Sequence, residues 1–318
     1  MLIKLSIEYL LPFIILMCAA IIYFKIAAHF NIIDKPNERS SHSVPTIRGG
    51  GIIFLLSSIL FFFWNGYTYP YLLAAMLVSG IISFIDDIRT VNNRLKFSVH
   101  VLSVILIFKE CGLLSSLSLL YLFGIGILVI GIINAYNFMD GINGITGLYS
   151  LAVIAPLFLT ETNEKLQSLE LFSIIGLLVF NFFNTRKKAR CFAGDVGSIS
   201  LAILIVFLLI TRIQSTGSFV YIGLLLVYGI DSVNTIAQRL YQRENIFKPH
   251  RKHLYQYYSN EKGIPHVWVS IVYAAIQLVI SLAIVYGYVN YLELILLLIF
   301  LSIVYWVLKA PLIMSKIS

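Results

Sequence analysis

The sequence predicts an all-α integral membrane protein: a polytopic bundle of about eleven transmembrane helices, N-terminus outside, C-terminus cytoplasmic. Three observations carry this. The 318 residues are 59% hydrophobic and only 12% charged, with a mean hydropathy of +0.90, whereas a soluble domain is typically about 45–50% apolar and about 25% charged. Apolar runs of about 17–25 residues, the length that crosses a bilayer, recur along the chain. Lysine and arginine then segregate onto alternate connections, eighteen on one side against four on the other (Lys4, Lys109, Lys165, Arg212), and the basic side is the cytoplasmic one.

The runs fall at roughly 7–29, 48–64, 69–86, 95–110, 117–135, 145–160, 168–184, 196–212, 217–237, 266–286 and 291–310. An odd number of crossings suits termini on opposite sides. The first run follows Lys4 and resembles a signal peptide, but it continues to Phe30, beyond the roughly 7–15 residues of a signal core. Topology accounts for the basic excess, so no nucleic-acid partner is expected. Cys18, Cys111 and Cys191 show neither disulfide nor metal-ligand spacing.

All six aspartates (Asp34, Asp86, Asp87, Asp140, Asp195, Asp231) fall on the cytoplasmic side, so the chemistry is expected there. The first cytoplasmic connection, Asp34 to Gly51, carries Arg39, His42 and Arg48 ahead of three glycines. Cations beside exposed backbone N–H groups suit an anionic ligand. The third run ends in Asp86-Asp87. A carboxylate at a helix C-terminus is disfavoured by about 0.3–1 kcal/mol, so a cation is expected nearby: Arg89, Arg94 or, preferably, a divalent metal. His100, inside the fourth run, reads as a buried, hydrogen-bonded imidazole.

Asn134-Ala-Tyr-Asn-Phe-Met-Asp-Gly-Ile-Asn-Gly-Ile-Thr-Gly147 interrupts an apolar stretch. Within lipid such backbone must be buried in protein or line a watery cavity, and its polar residues mark a functional site. The same residues also suit a turn with Asp140 or Asn143 as a cap. Asp195 suits an N-cap for the eighth span, while Gly194, Gly197 and Ser198 give that helix start the openness phosphate needs. In the longest connection, about 238–265, His250 and His253 would share a face with Arg251 between them if the helix began at Pro249. Zinc lacks a third ligand there. A phosphate-binding cluster is preferred to a basic loop on anionic lipid.

Carboxylates without thiolates select Mg²⁺ or Mn²⁺, and a metal beside cations fits a diphosphate substrate. The mouth of apolar helices suits one soluble and one lipidic reactant. The reading is phosphoryl transfer at a membrane interface.

The chain resembles the polyprenyl-phosphate N-acetylhexosamine-1-phosphate transferase superfamily over nearly its whole length. The resemblance rests on PNERSSHSVPTIRGGG, the DD pair ending the third span, NAYNFMDGINGITG, FAGDVGS and HRKHLYQ. It is nearest the O-antigen initiating branch and less like the peptidoglycan translocase. It implies a single transmembrane catalytic domain over 1–318 in the bacterial cell (inner) membrane. The active-site loops would be at about 31–48, 86–95, 136–145, 185–196 and 238–265. The implied reaction takes UDP-N-acetylhexosamine and undecaprenyl phosphate to undecaprenyl-diphospho-sugar and UMP with Mg²⁺, and a homodimer is implied too. Carried over by motif, Asp195 is the main metal ligand, with Asp86 and Asp87 beside metal and lipid phosphate. Asn137 and Asp140 organise the diphosphate, Gly141 and Phe192 lie near the uridine, and His250, Arg251 and His253 hold the sugar phosphate. Two departures are Asn143, where the family usually has a second Asp, and Thr90, about where an acid often follows the DD pair. The rival class is a secondary transporter, which predicts repeats and mid-span charges; a lipid-scaffolding protein would not require paired carboxylates.

Overall fold

The computed structural model describes residues 8–36, 41, 44–246 and 250–314. Each of the eleven apolar runs is helical: α1 Leu10–His29, α2 Ile52–Trp64, α3 Pro70–Ile88, α4 Asn93–Glu110, α5 Leu119–Met139, α6 Ile145–Thr160, α7 Glu164–Asn184, α8 Gly194–Thr216, α9 Leu226–Tyr241, α10 His266–Val285 and α11 Tyr291–Met314. A 3₁₀ segment, Phe219–Leu225, leads into α9. Among the described residues eight helical stretches are long and apolar enough to cross a membrane; α2 and α6 are shorter, and α4 carries too many charges.

Burial ranks the helices. The apolar window of α8 is 78% buried and that of α11 only 6%. α8 is therefore the central strut, packed against α3, α5 and α2, while α11 sits at the rim. Its residues explain the position: from Ile199 to Leu209 every side chain is buried, with only Ser200 to break the apolar surface. Its N-terminal turn meets α2 glycine against glycine. A Cβ on Gly197 would lie 2.7 Å from Gly51 Cα, which allows the backbones to approach more closely than any side chain would. At the far end Gly217 closes α8 in a left-handed conformation (φ +69°).

The expectation of an all-helical chain needs one correction. Ile33–Asp34 pairs antiparallel with Thr46–Ile47, and Ile47 bridges to Cys191. Phe192 N–H donates to Ile47 O (2.8 Å), and Gly50 and Gly51 N–H donate to Phe192 O and Ala193 O. These loops run over protein, where buried backbone groups must be paired. Short strands do that.

Candidate active site

The ends of α3, α5, α7 and α8 converge. Asp87 is fully buried; its oxygens accept from Asp195 N–H (3.0 Å) and Val196 N–H (3.3 Å), and Arg48 Nε lies 2.9 Å away. The carboxylate that burdens the end of α3 thus caps the start of α8, where the dipole favours an anion. The cation expected beside the pair is Arg48 for Asp87 and Lys96 for Asp86, rather than Arg89 or Arg94. The open helix start expected at Gly194–Ser198 already holds a protein carboxylate. Asp195 itself is not an N-cap: it lies in the first turn of α8, whose N-cap residue is Ala193.

Asp86 accepts from Val91 N–H (2.7 Å) and Lys96, and reaches the carboxylate of Asp195 at hydrogen-bonding distance. Burial opposes the charge of Arg48, but Asp87, Asp195, Asp34 and Asp86 outweigh it and hold the guanidinium above its ordinary range. Tyr23 donates to Arg48 O (2.5 Å), fixing that backbone.

The interrupted stretch between α5 and α6 supplies the opposite wall. Asn137 Oδ1 accepts from Ser198 Oγ (2.7 Å) and Asp140 Oδ1 from Thr146 Oγ1 (2.6 Å). Tyr255 donates to Phe138 O (3.0 Å) and fills the space where Gly141 has no side chain. Gly144 turns the chain at φ +87°, which a Cβ would strain. The expected cap role of Asp140 or Asn143 is not found: Gly144 stands at the α6 N-cap with no side-chain bond.

Together these groups enclose a cavity of about 310 Å³, lined by Asp34, Ser41, Arg48, Asn137, Asp140, Gly141, Asn143, Asn184, Phe192, Asp195, Gln256 and His266. Asp86 and Asp87 do not line it but lie behind Asp195 and Arg48. Arg39 and His42 lie outside the described residues. Asp34, Ser41, Asn184, Gln256 and His266 were not among the expected site residues, nor was Lys96. Of these Asp34 carried a signal as one of the six cytoplasmic aspartates, and Gln256 as a glutamine three residues after His253, the capping-box spacing.

The His cluster departs most from expectation. Residues 250–252 are not helical; a short helix starts at Leu254 with His253 as its N-cap, closed by Gln256. The shared face is absent because His253 is held elsewhere. It is 2% exposed, and its Nδ1 lies 3.1 Å from Asp231, which also accepts from Tyr273 (2.7 Å) and Leu254 N–H (3.1 Å). Its ring stacks between His250 (5.0 Å) and Tyr255 (5.6 Å). Burial, with positive neighbours including His253 and Arg239, pushes His250 down to about 4. It is neutral at physiological pH and does not provide the expected positive charge. Neither His250, Arg251 nor His253 lines the cavity.

Among the described residues no group of three or more His, Cys, Asp or Glu is arranged to hold a metal ion. Two carboxylates do fit one. Asp86 and Asp195 at hydrogen-bonding distance require a proton or a cation between them, and Mg²⁺ is commonly held by one or two carboxylates plus substrate phosphates and water.

Residues 69–213 match the family model for glycosyl transferase family 4. The match spans less than half of the chain and makes that segment similar to this family. In glycosyl transferase family 4 terms, the matched segment holds Asp86, Asp87, Asn137, Asp140 and Asp195, the polar ends of α3, α5 and α8. The chain is similar to the undecaprenyl-phosphate alpha-N-acetylglucosaminyl 1-phosphate transferase of Salmonella typhi, 24% identical over 73% of this chain and 70% of that protein. It is likewise similar to the Thermotoga maritima protein of that name, 24% identical over 73% of this chain and 74% of the relative. The phospho-N-acetylmuramoyl-pentapeptide-transferase of Dictyoglomus thermophilum is 29% identical over 48% of this chain and 55% of its own length.

Asp140 offers a test of this wall. Burial pushes its pKa up to about 6, opposed by the Thr146 hydroxyl and reinforced by Asp195. With the folded value above the unfolded one, a carboxylate costs stability as pH rises from about 4 through about 6, and the cost is complete above that. Asp140→Asn keeps the acceptor for Thr146 and removes the charge. It is therefore expected to raise the neutral-pH unfolding midpoint in detergent, by at most about 3 kcal/mol, with the gain vanishing below about pH 4. Equal midpoints at neutral pH would show that Asp140 carries no buried charge.

Proposed function

We propose that this protein transfers an N-acetylhexosamine-1-phosphate from a UDP-sugar to undecaprenyl phosphate, releasing UMP, at the cytoplasmic face of a bacterial inner membrane. This would be the first membrane step of a cell-surface polysaccharide such as an O-antigen. The family match and the names of its relatives support sugar-1-phosphate transfer to a polyprenyl phosphate. The observation that carries the reading is the Asp86–Asp195 pair facing Arg48 at one end of the apolar helices. A transporter would place its charges near mid-membrane.

In this reading Asp195 and Asp86 hold Mg²⁺ (or Mn²⁺), which when bound offsets charge on the diphosphate and eases departure of UMP. Arg48, kept charged by its acidic neighbours, meets the phosphoryl oxygens. Asp87 holds Arg48 and the α8 backbone in register. Asp140 and Asn137, each fixed by a hydroxyl, orient the diphosphate from the other wall, and Phe192 with Gly141 borders the nucleoside. An oxygen of the lipid phosphate attacks the β-phosphorus, its proton passing to an aspartate of the pair ending α3, and the bond to UMP breaks.

Purified protein given undecaprenyl phosphate and a panel of UDP-N-acetylhexosamines, with UDP-N-acetylmuramoyl-pentapeptide included, is expected to release UMP with one hexosamine donor. UMP from the pentapeptide alone would move the assignment to the translocase reaction. No UMP from any donor would sink it.

A further inference from the structure

We infer that Asn143 is a positioning residue: its amide clasps the basic loop Thr185–Arg190 against the turn that carries Asp140. Nδ2 donates to Arg186 O (2.9 Å), while the backbone O of Asn143 accepts from Ser270 Oγ on α10 (2.8 Å). One residue on, Gly144 N–H donates to Asn184 Oδ1 (2.6 Å), and Asn184 Nδ2 donates to Cys191 O (2.8 Å). Two amides therefore stitch turn to loop, from Asn143 to Cys191. Asn184 uses both halves of its amide, whereas Asn143 bonds the loop through Nδ2.

Only a donor can answer Arg186 O. An aspartate would set a carboxylate oxygen against a carbonyl oxygen, and a buried acceptor facing an acceptor loses the bond and is left unsatisfied. Asn143 is 5% exposed, so water does not readily take over. The clasp also divides space. Asn143 and Phe192 line both the polar cavity and a larger one of about 770 Å³ beside it, whose rim carries Arg186, Lys187 and Lys188. Holding the loop down sets how those cations stand to a ligand in the first cavity.

At about pH 8 the carboxylate of Asn143→Asp is an acceptor only. It shares its two cavities with Arg186, Lys187 and Lys188 of the loop and with Asp34, Arg48, Asp140, Asp195 and His266.

The test is amide exchange across residues 185–192 in detergent-solubilised full-length protein, where Arg190 N–H and Phe192 N–H are bonded in the wild type. Asn143→Asp and Asn143→Ala are both expected to exchange several-fold faster than wild type at pH 8, and Lys187→Ala, which leaves both amides in place, to exchange as wild type does. Wild-type exchange in either Asn143 variant overturns the clasp. A second arm rests on the transferase reading: KM for the UDP-sugar rises about 10-fold in Asn143→Asp at pH 8, as for one lost buried hydrogen bond, with kcat less affected. Wild-type protein that releases no UMP would defeat that reading and leave the exchange result standing.

Discussion

Asp195→Asn is expected to lower UMP release by about 10³-fold, on the order of 4 kcal/mol of barrier, while the protein stays folded. The size follows from removing a charge at the centre of a water-poor site, where electrostatic stabilisation of a phosphoryl group is worth several kcal/mol. The fold should not suffer, because Asp195 serves the architecture through its backbone N–H, which donates to Asp87 and survives the change. Its side chain is buried between Arg48 and Asp86, so neutralising it removes a desolvation cost and the repulsion from Asp86 against the lost attraction to Arg48. Turnover and thermal midpoint, measured on one preparation, check this. Full turnover would remove Asp195 from the chemistry.

Asp87→Ala should fail differently, by loss of stability. The carboxylate joins α3 to α8 through two backbone N–H groups and Arg48, and its side chain is wholly buried. Breaking a buried ion pair by removing one partner costs about 3–5 kcal/mol. The Arg48 side chain is 36% exposed, so it recovers some solvation and the lower end applies. A fall of several degrees in the unfolding midpoint is expected, with activity lost in parallel, and Asp87→Asn should fall between because it keeps one acceptor. An unchanged midpoint in the alanine variant would refute the strut.

The helices were legible because each apolar run states its own length: ten of the runs lie within a few residues of their helices, and the ninth opens as the 3₁₀ segment before α9. The acidic pair was legible as an anomaly, being anions at the wrong helix end. Its resolution was not, since the start of α8 lies over a hundred residues away and no local pattern names it. Asn184, Gln256 and His266 escaped notice as ordinary polar residues near helix ends that only tertiary packing brings together. His253 misled for the opposite reason. Basic neighbours suggested an anion site, whereas its partner, Asp231, sits on α9 twenty-two residues earlier. The strands at Ile33–Asp34 and Thr46–Ile47 are two residues each, too short for alternation to register.

Asp87 at the head of α8 has one more consequence. That helix start is held by an anion from its own chain before any ligand arrives, so α8 and Arg48 are set during folding. This wall of the cavity is preorganised: ordering it adds nothing to the entropic cost of binding. Whatever adjustment a ligand induces must come from the facing side, where the Asp140 turn meets the Thr185–Arg190 loop through the Asn143 and Asn184 amides.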